Sequence, residues 1–521
     1  GLPLASISSL QPKRIVTASA TLLLKMSSTT ANKDPSSQIN SEDGNKRSAG
    51  QGNDQTANKR SKMSKKDAGR NHTWRDFDEE DKNNENRAEK PPHPGSFANH
   101  ELRKKFNVVI EGLEEDSEKT AASSLRDTEN SKKDTSKKKV ALLLGFLGTN
   151  YGGFQVNPDQ RTLQAEIELA IFRCGMIAKS NFGHPHKYSW SSSARTDKGV
   201  HACAQVCSLK VELPDAEWET DDGIEQARQR IEAKLPSDIR VLDMVRTTRN
   251  FCAKTQRDRV RYQYMVPSFL LHPDWKGLME QNHIQVEQRE NLKAPLSEEE
   301  VQKLQTALQG YRSTEESRKL LQAALRKYEG TKFYHNYTRG LAPGQAQAQR
   351  YIQSFDVQKP VVMEDVEWIP TQVLGQSFLL HQIRKMISVA VDVARKAAPL
   401  EVMDKALSKK ETMNINVAPA QGLFLEMSLF GGYNRRKSSN KELSDLDWNA
   451  EGPANDRWKA FRNVVRRHIV QEEIDQGNFV QYMYTQEFIY NCQKMYNMEE
   501  HETETEKNEA SAAVSASDIK Q

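Results

Sequence analysis

Hydrophobic and polar positions are sorted along this chain in three different ways. Through about residue 136, Ser, Asn, Lys, Asp and Glu dominate, and no apolar period is sustained. Only residues 106–110 have the texture of a strand. Such a composition cannot offset the entropy of ordering, so 1–136 is expected to be a disordered leader. From Lys139 the pattern tightens. Residues 140–146 form a continuous apolar run, read as a buried strand, and a Gly/Asn/Pro-rich loop follows. Leu163, Ile167, Ala170 and Ile171 then recur at helical spacing. Strands are expected over 203–211, 239–245 and 259–266, with a helix over 223–235. Two charged helices (about 297–309 and 314–328) lead to three strands at 351–358, 361–368 and 371–376. A long helix over 378–396 turns Leu379, Ile383, Met386, Ile387 and Ala390 inward, and 423–429 is the last core strand.

Because strand-type runs often follow one another directly, the pattern predicts an α+β fold rather than a doubly wound parallel sheet. The core spans 137–430 in two similar passes, about 137–266 and 267–430. A polar linker is expected at 431–456, amphipathic helices at 457–497 and a disordered acidic tail at 498–521.

Composition changes this picture little. The 521 residues are 36% hydrophobic and 28% charged. That is polar for a compact chain, as expected if a normal core is diluted by tails. No apolar run approaches the 18–20 residues of a membrane-spanning helix. The five cysteines are scattered and never form CxxC, which argues against a disulfide framework or a structural zinc site. The net charge of +4 is uninformative unless charge is sorted in space. Two places sort it. Arg257, Arg259 and Arg261 alternate and would make a basic row on one face of a strand. Arg462, Arg466 and Arg467 share a helix with Trp458, Phe461 and Val465, which suits either a phosphate grip or a helix packed on the core.

The most unusual local sequence is Ser191-Ser-Ser-Ala-Arg-Thr-Asp-Lys-Gly-Val-His-Ala202. In an extended segment Arg195 and Asp197 project to the same side. A carboxylate held beside a cation stays ionised and can act as a nucleophile. Ser, Asp, Lys and Gly are also ordinary turn formers, so the residues alone leave a solvated loop open. His201 and His381 lack metal-ligand spacing to other Cys or His, and no metal is expected.

The stretch Ala194–Ala202 resembles the catalytic signature of tRNA pseudouridine synthases of the TruA family. Four further stretches resemble that family in its order: Gly145–Pro158, Phe251–Tyr264, Ser377–Ile387 and Ala418–Leu425. Gly330–Thr338 and His381–Met386 are most similar to the eukaryotic pseudouridylate synthase 1-like branch. Cys252, where bacterial members commonly have His, and residues 255–260 depart from the bacterial pattern. The resemblance implies the pseudouridine synthase fold: two related α/β halves joined in a mixed, mainly antiparallel central sheet, with flanking helices and a catalytic cleft.

The resemblance also implies roles. Asp197 is the nucleophile toward a target uridine, at C1′ or at the ring, with no cofactor. Arg384 pairs with Asp197 and orients it. Tyr262 stacks on uracil, Arg195 holds the flipped position open, and Leu425 walls the base. The implied partner is tRNA, with mRNA and other RNAs as further candidates and no membrane; the oligomeric state is open between monomer and homodimer. A non-catalytic RNA-binding or RNA-folding protein on the same scaffold is the alternative. A glycosidase would want a second carboxylate or a metal, and no such motif is present.

Residues 1–33 contain no acid and several Ser and Thr, which suits an organelle presequence. With Gly1 first, the start is expected upstream, or at Met26 for a shorter form. Lys46-Arg47 and the cluster 59–66 read as a nuclear localisation signal. The expected address is the nucleus, with mitochondrion or plastid second.

Overall fold

The computed structural model describes residues 134–490, apart from 158–159, 287–288, 290 and 438–441, together with Tyr496. The expected leader through residue 133 with the strand expected at 106–110, the expected targeting signals and the acidic tail lie outside the described residues.

Ten strands form one sheet: β1 (Thr135–Phe146), β2 (Ser191–Ser192), β3 (His201–Pro214), β4 (Ile239–Arg246), β5 (Arg259–Pro267), β6 (Gly330–Phe333), β7 (Gln349–Val357), β8 (Val361–Met363), β9 (Val366–Gly375) and β10 (Leu423–Leu429). The spatial order is β4-β1-β3-β10-β5-β9-β7-β6, with β2 beside β3 and β8 beside β9. Pairing is antiparallel except between β10 and β3. The α+β mixed sheet expected from the sequence is present. Strands β1, β3 and β10 lie inside the sheet and are buried along most of their length, polar positions of β3 and β10 included.

Seven helices matter here: α1 (Leu163–Arg173), α2 (Asp221–Glu232), α3 (Glu298–Leu308), α4 (Glu315–Arg326), α5 (Gln382–Ala394), α6 (Pro453–Gln476) and α7 (Asn478–Tyr484). Their starts follow local chemistry. Thr220 and Thr314 accept hydrogen bonds from the backbone N–H three residues on, and Ser297 with Glu300 forms a reciprocal capping box. Helix α5 packs on α4, which lies along β7.

Several expectations need correction. The two halves do not divide at residue 266, because β10, from the end of the core, inserts between β3 and β5 of the first half. The core begins at Thr135, which pairs with Pro214. Residues 361–368 are not one strand. Glu364 and Asp365 both take positive φ (49° and 60°), the geometry of a two-residue hairpin turn. Strand β9 then runs unbroken through Pro370. The proline fits because Met265, opposite it, sends its N–H to Gly422 O on the other side, so that pair needs no donor from the proline. The expected linker at 431–456 is largely packed structure. Gly431–Lys437 is helical, Leu446 and Trp448 are buried, and the Trp448 indole donates to Asp243 Oδ2 at 2.6 Å. Helix α6 begins at Pro453, a residue suited to a first helical position.

Candidate active site

The loop holding Asp197 is shaped by the glycine-rich loop after β1. A Cβ on Gly148 would lie 2.2 Å from Val200 O, so only glycine allows the two backbones to touch. Gly153, at φ +112°, packs against the backbone of residues 196–198. Phe154 N–H donates to Thr196 O (3.1 Å), Gly148 N–H to His201 Nδ1 (3.0 Å) and Val200 N–H to Asp197 O (3.2 Å). These bonds fix the backbone on both sides of Asp197. Its side chain is half-buried and has no hydrogen-bond or ion-pair partner among the described residues. Arg195, two residues before it, is exposed.

Tyr262 and Leu425 are direct cross-strand neighbours on one face of the sheet, and Leu425 also pairs with Ala202 at the start of β3. The Tyr262 ring meets Phe378 edge-on at 5.5 Å. Burial pushes its phenol up to about 12; the Arg257 cation pulls it down and Asp197 pushes it further up. Tyr262 therefore keeps its proton at neutral pH, which suits stacking and hydrogen-bond donation.

Arg384 sits on α5 and donates from Nε to Ala418 O at 2.6 Å. Burial lowers the pKa of its guanidinium, while Tyr264, Asp197 and Tyr482 raise it. The contact ion pair expected between Arg384 and Asp197 is not formed. The carbonyl of Ala418 holds the guanidinium instead, and the two charges act on each other across a gap.

His381 is a residue that the sequence offered only as a metal candidate. It takes φ 62° at the start of α5, a strained conformation for a non-glycine residue. Its Nδ1 is buried without a hydrogen-bond partner. Burial lowers its pKa, as do Arg384, Arg339 and Lys385, whereas Asp197 raises it. A histidine three positions before Arg384, at the start of the same helix, was the available signal. Lys385, next on that helix, donates to Asn336 O (3.0 Å) and Thr338 O (3.3 Å) and so ties the 330–338 segment to α5.

The expected basic row at 257–261 is not there. Arg257 precedes β5, and its guanidinium donates to Ser193 O (2.7 Å) and Gln376 O (2.8 Å). Arg259 is exposed and bonds the Gln353 side chain. Arg261, on the sheet face opposite Tyr262, pairs with buried Glu426 at 3.0 Å. On α6, Trp458, Phe461 and Val465 are buried against the core. Arg462 pairs with Glu426 at 3.2 Å and lies over the Trp458 ring. Arg466 donates twice to Gln263 Oε1 (3.0 and 2.7 Å), and only Arg467 of the three is exposed. Of the two uses open to this helix, packing is the one seen.

The fold does bring His201 together with His468 and Glu472, three metal-ligating residue types. The hydrogen bonds oppose a metal there. His201 Nδ1 accepts from Gly148 N–H, so the neutral ring carries its proton on Nε2, the atom facing Glu472 at 3.7 Å. A protonated nitrogen cannot ligate. The cluster is a close polar packing in which burial keeps His201 neutral, its pKa held down at about 3. The described cysteines, Cys174, Cys203, Cys207 and Cys252, are all free, and among the described residues no helix is long and apolar enough to cross a membrane.

Residues 324–430, which include α5 and β10, match a family model described as tRNA pseudouridine synthase. The chain is 33% identical over 330 residues to the tRNA pseudouridine(27/28) synthase of Saccharomyces cerevisiae, covering 57% of this chain and 85% of that protein. It is 31% identical over 353 residues to the pseudouridylate synthase 1 homolog of Mus musculus, covering 67% and 74%. It is also 31% identical to tRNA pseudouridine synthase 1 of Kluyveromyces lactis, covering 58% of this chain and 61% of that protein. With two relatives more than 30% identical, of which the chain covers 85% and 74%, and a family model matched over 324–430, the chain belongs to the tRNA pseudouridine synthase family.

Proposed function

We propose that the protein isomerises uridines in tRNA to pseudouridine, with Asp197 as the nucleophile and no cofactor. One observation carries this reading: Asp197 is held rigidly by its backbone, yet its carboxylate is unpaired and lies within the electrostatic reach of Arg384, Tyr262 and His381. The Asp197 carboxylate bonds the target nucleotide and the N1–C1′ bond breaks. Uracil turns while captive, C5 bonds to C1′ and the bond to the carboxylate breaks, the C5 proton leaves and N1 gains one, so atoms balance without an external reagent and Asp197 is regenerated. Leu425 and the edge-anchored Tyr262 ring give the base an apolar wall and a stacking surface. Arg384 stabilises the carboxylate's charge through space. A uridine in folded tRNA must first leave its stack, at a cost of a few kcal/mol, and Arg195, which is exposed, holds the vacated position. Of the arginines at 257–261 and 462–467, Arg259 and Arg467 are the exposed ones, and they are the candidates to meet phosphates.

The finer assignments belong to the same proposal: other RNAs as additional substrates, and a nuclear address read from the basic segments of the leader. A fluorescent fusion of the full chain, with and without residues 46–66, tests the address. The activity is tested with tRNA transcripts tritiated at uridine C5. The wild type is expected to release tritium while the RNA keeps its mass and its bases, and Asp197→Ala to release none. Free uracil would mean a glycosidase; bound RNA without release would mean a non-catalytic binder.

A further inference from the structure

The segment after the core touches the candidate site at two places that packing of its apolar face does not require. The first is the nucleophile loop. His468 on α6 bonds Thr149 Oγ1 at 2.8 Å, and Thr149 follows Gly148, whose N–H reaches His201. Glu472, one turn further along α6, stands 3.5 Å from His468 Nε2 and 3.7 Å from His201 Nε2. His201 is four residues beyond Asp197.

The second place is the support of Arg384. Its acceptor, Ala418, lies in a loop held at Pro419 O by the Tyr264 hydroxyl (2.9 Å) and at Gln421 by Glu473 (3.1 Å). Glu473, buried at the end of α6, also accepts from Phe479 N–H at 2.8 Å and so fixes the entry into α7. On α7, Tyr482 bonds Ser388 Oγ at 2.8 Å, and Ser388 is one turn after Arg384 on α5. A cavity of about 410 Å³ separates the two places, lined by Thr149, Gly199, Ala420, Glu472, Asn478 and Tyr482 among others.

We propose that α6 and α7 position both catalytic groups: Glu472 fixes the loop of Asp197, and Tyr482 fixes the helix of Arg384. The inference rests on the isomerase reading of the site. Both are positioning residues: Glu472 acts through the adjacent His468, whose Nε2 bonds Thr149, and Tyr482 acts through Ser388. The conformational cost of orienting two opposed charges is met by this segment before RNA arrives.

Full-length wild type, Glu472→Gln, Tyr482→Phe, Ser388→Ala and the Tyr482→Phe/Ser388→Ala double variant are compared in tritium release, tRNA filter binding and thermal melting. Glu472→Gln and Tyr482→Phe are expected to lower kcat about tenfold, with KM, tRNA affinity and melting temperature nearly unchanged. Ser388→Ala is expected to match Tyr482→Phe, and the double variant to fall no further. Unchanged kcat, a loss confined to KM, or fully additive losses would overturn the proposal. Stoichiometric zinc in the wild type that is absent from His468→Ala would overturn the positioning role of Glu472 by making it a metal ligand. A wild type that releases no tritium would remove the isomerase reading and this inference together. An active wild type beside variants of equal kcat would remove the inference alone.

Discussion

The two faces of strand β5 handle charge in opposite ways. On the face carrying Arg261 and Gln263, buried Glu426 holds both Arg261 and Arg462, Gln372 donates to the same carboxylate at 2.7 Å, and Gln263 takes both donors of Arg466. A bulge in β10 beside Glu426 turns that side chain toward its partners. On the face carrying Tyr262, the carboxylate of Asp197 is unpaired, Nδ1 of His381 is orphaned, and Arg384 spends a charged donor on a neutral carbonyl. A fold does not leave polar groups incomplete at no cost. The satisfied face contributes stability; the incomplete face holds its groups for a ligand.

Substitutions on the two faces should therefore separate activity from stability. The largest expected effect is Arg384→Ala, with a loss of about 10³-fold in tritium release and melting within a few degrees of wild type. A melting drop matching the activity loss would place Arg384 on the structural side. Glu426→Ala should do the reverse. It leaves Arg261 and Arg462 without their shared partner and is expected to cost about 3 kcal/mol in urea denaturation, with kcat per folded molecule retained. Tyr262→Phe keeps the stacking ring and is expected to keep activity within about tenfold, whereas Tyr262→Leu should lose about 10²-fold or more. Equal losses in the two variants would give the hydroxyl, not the ring, the leading role.

The smallest effect concerns pH. Buried Glu168 accepts from Gln164 Nε2 and from the Tyr188 hydroxyl, each at 2.6 Å, and burial raises it from near 4.5 to about 7. Its folded value is above its unfolded one, so its contribution is complete below pH 4.5 and is lost as pH rises through 7. Glu168→Gln is expected to flatten the fall in melting temperature between pH 5 and 8 by a few degrees. An unchanged slope would mean that Glu168 is already ionised in the fold.

Much of the fold was legible because its local signals are strong. The apolar runs of β1, β3 and β10 and the period of α5 needed no partner to be read. What escaped depends on distant residues. The insertion of β10 between β3 and β5 is a pairing across more than 150 residues. The Glu364-Asp365 turn lacks the Asn-Gly chemistry that marks such hairpins. The alternation of Arg257, Arg259 and Arg261 suggested a basic row, but β5 starts only at Arg259, and Glu426, from a strand far along the chain, claims Arg261. The site divides in the same way. Asp197, Tyr262, Arg384 and Leu425 were named from motifs; in the structure Tyr262 and Leu425 are cross-strand neighbours, and Asp197 acts electrostatically on Tyr262 and Arg384. The Arg384 contact to Ala418, the strain at His381 and the contacts of Glu472 and Tyr482 exist only in the folded arrangement.

The most direct measurement compares Asp197→Ala with wild type in tritium release and thermal melting on the same preparations. With an unpaired carboxylate acting as nucleophile, release should vanish, tRNA binding should persist, and the melting temperature should stay the same or rise. Release within tenfold of wild type, or a melting temperature lowered by several degrees, would contradict the account.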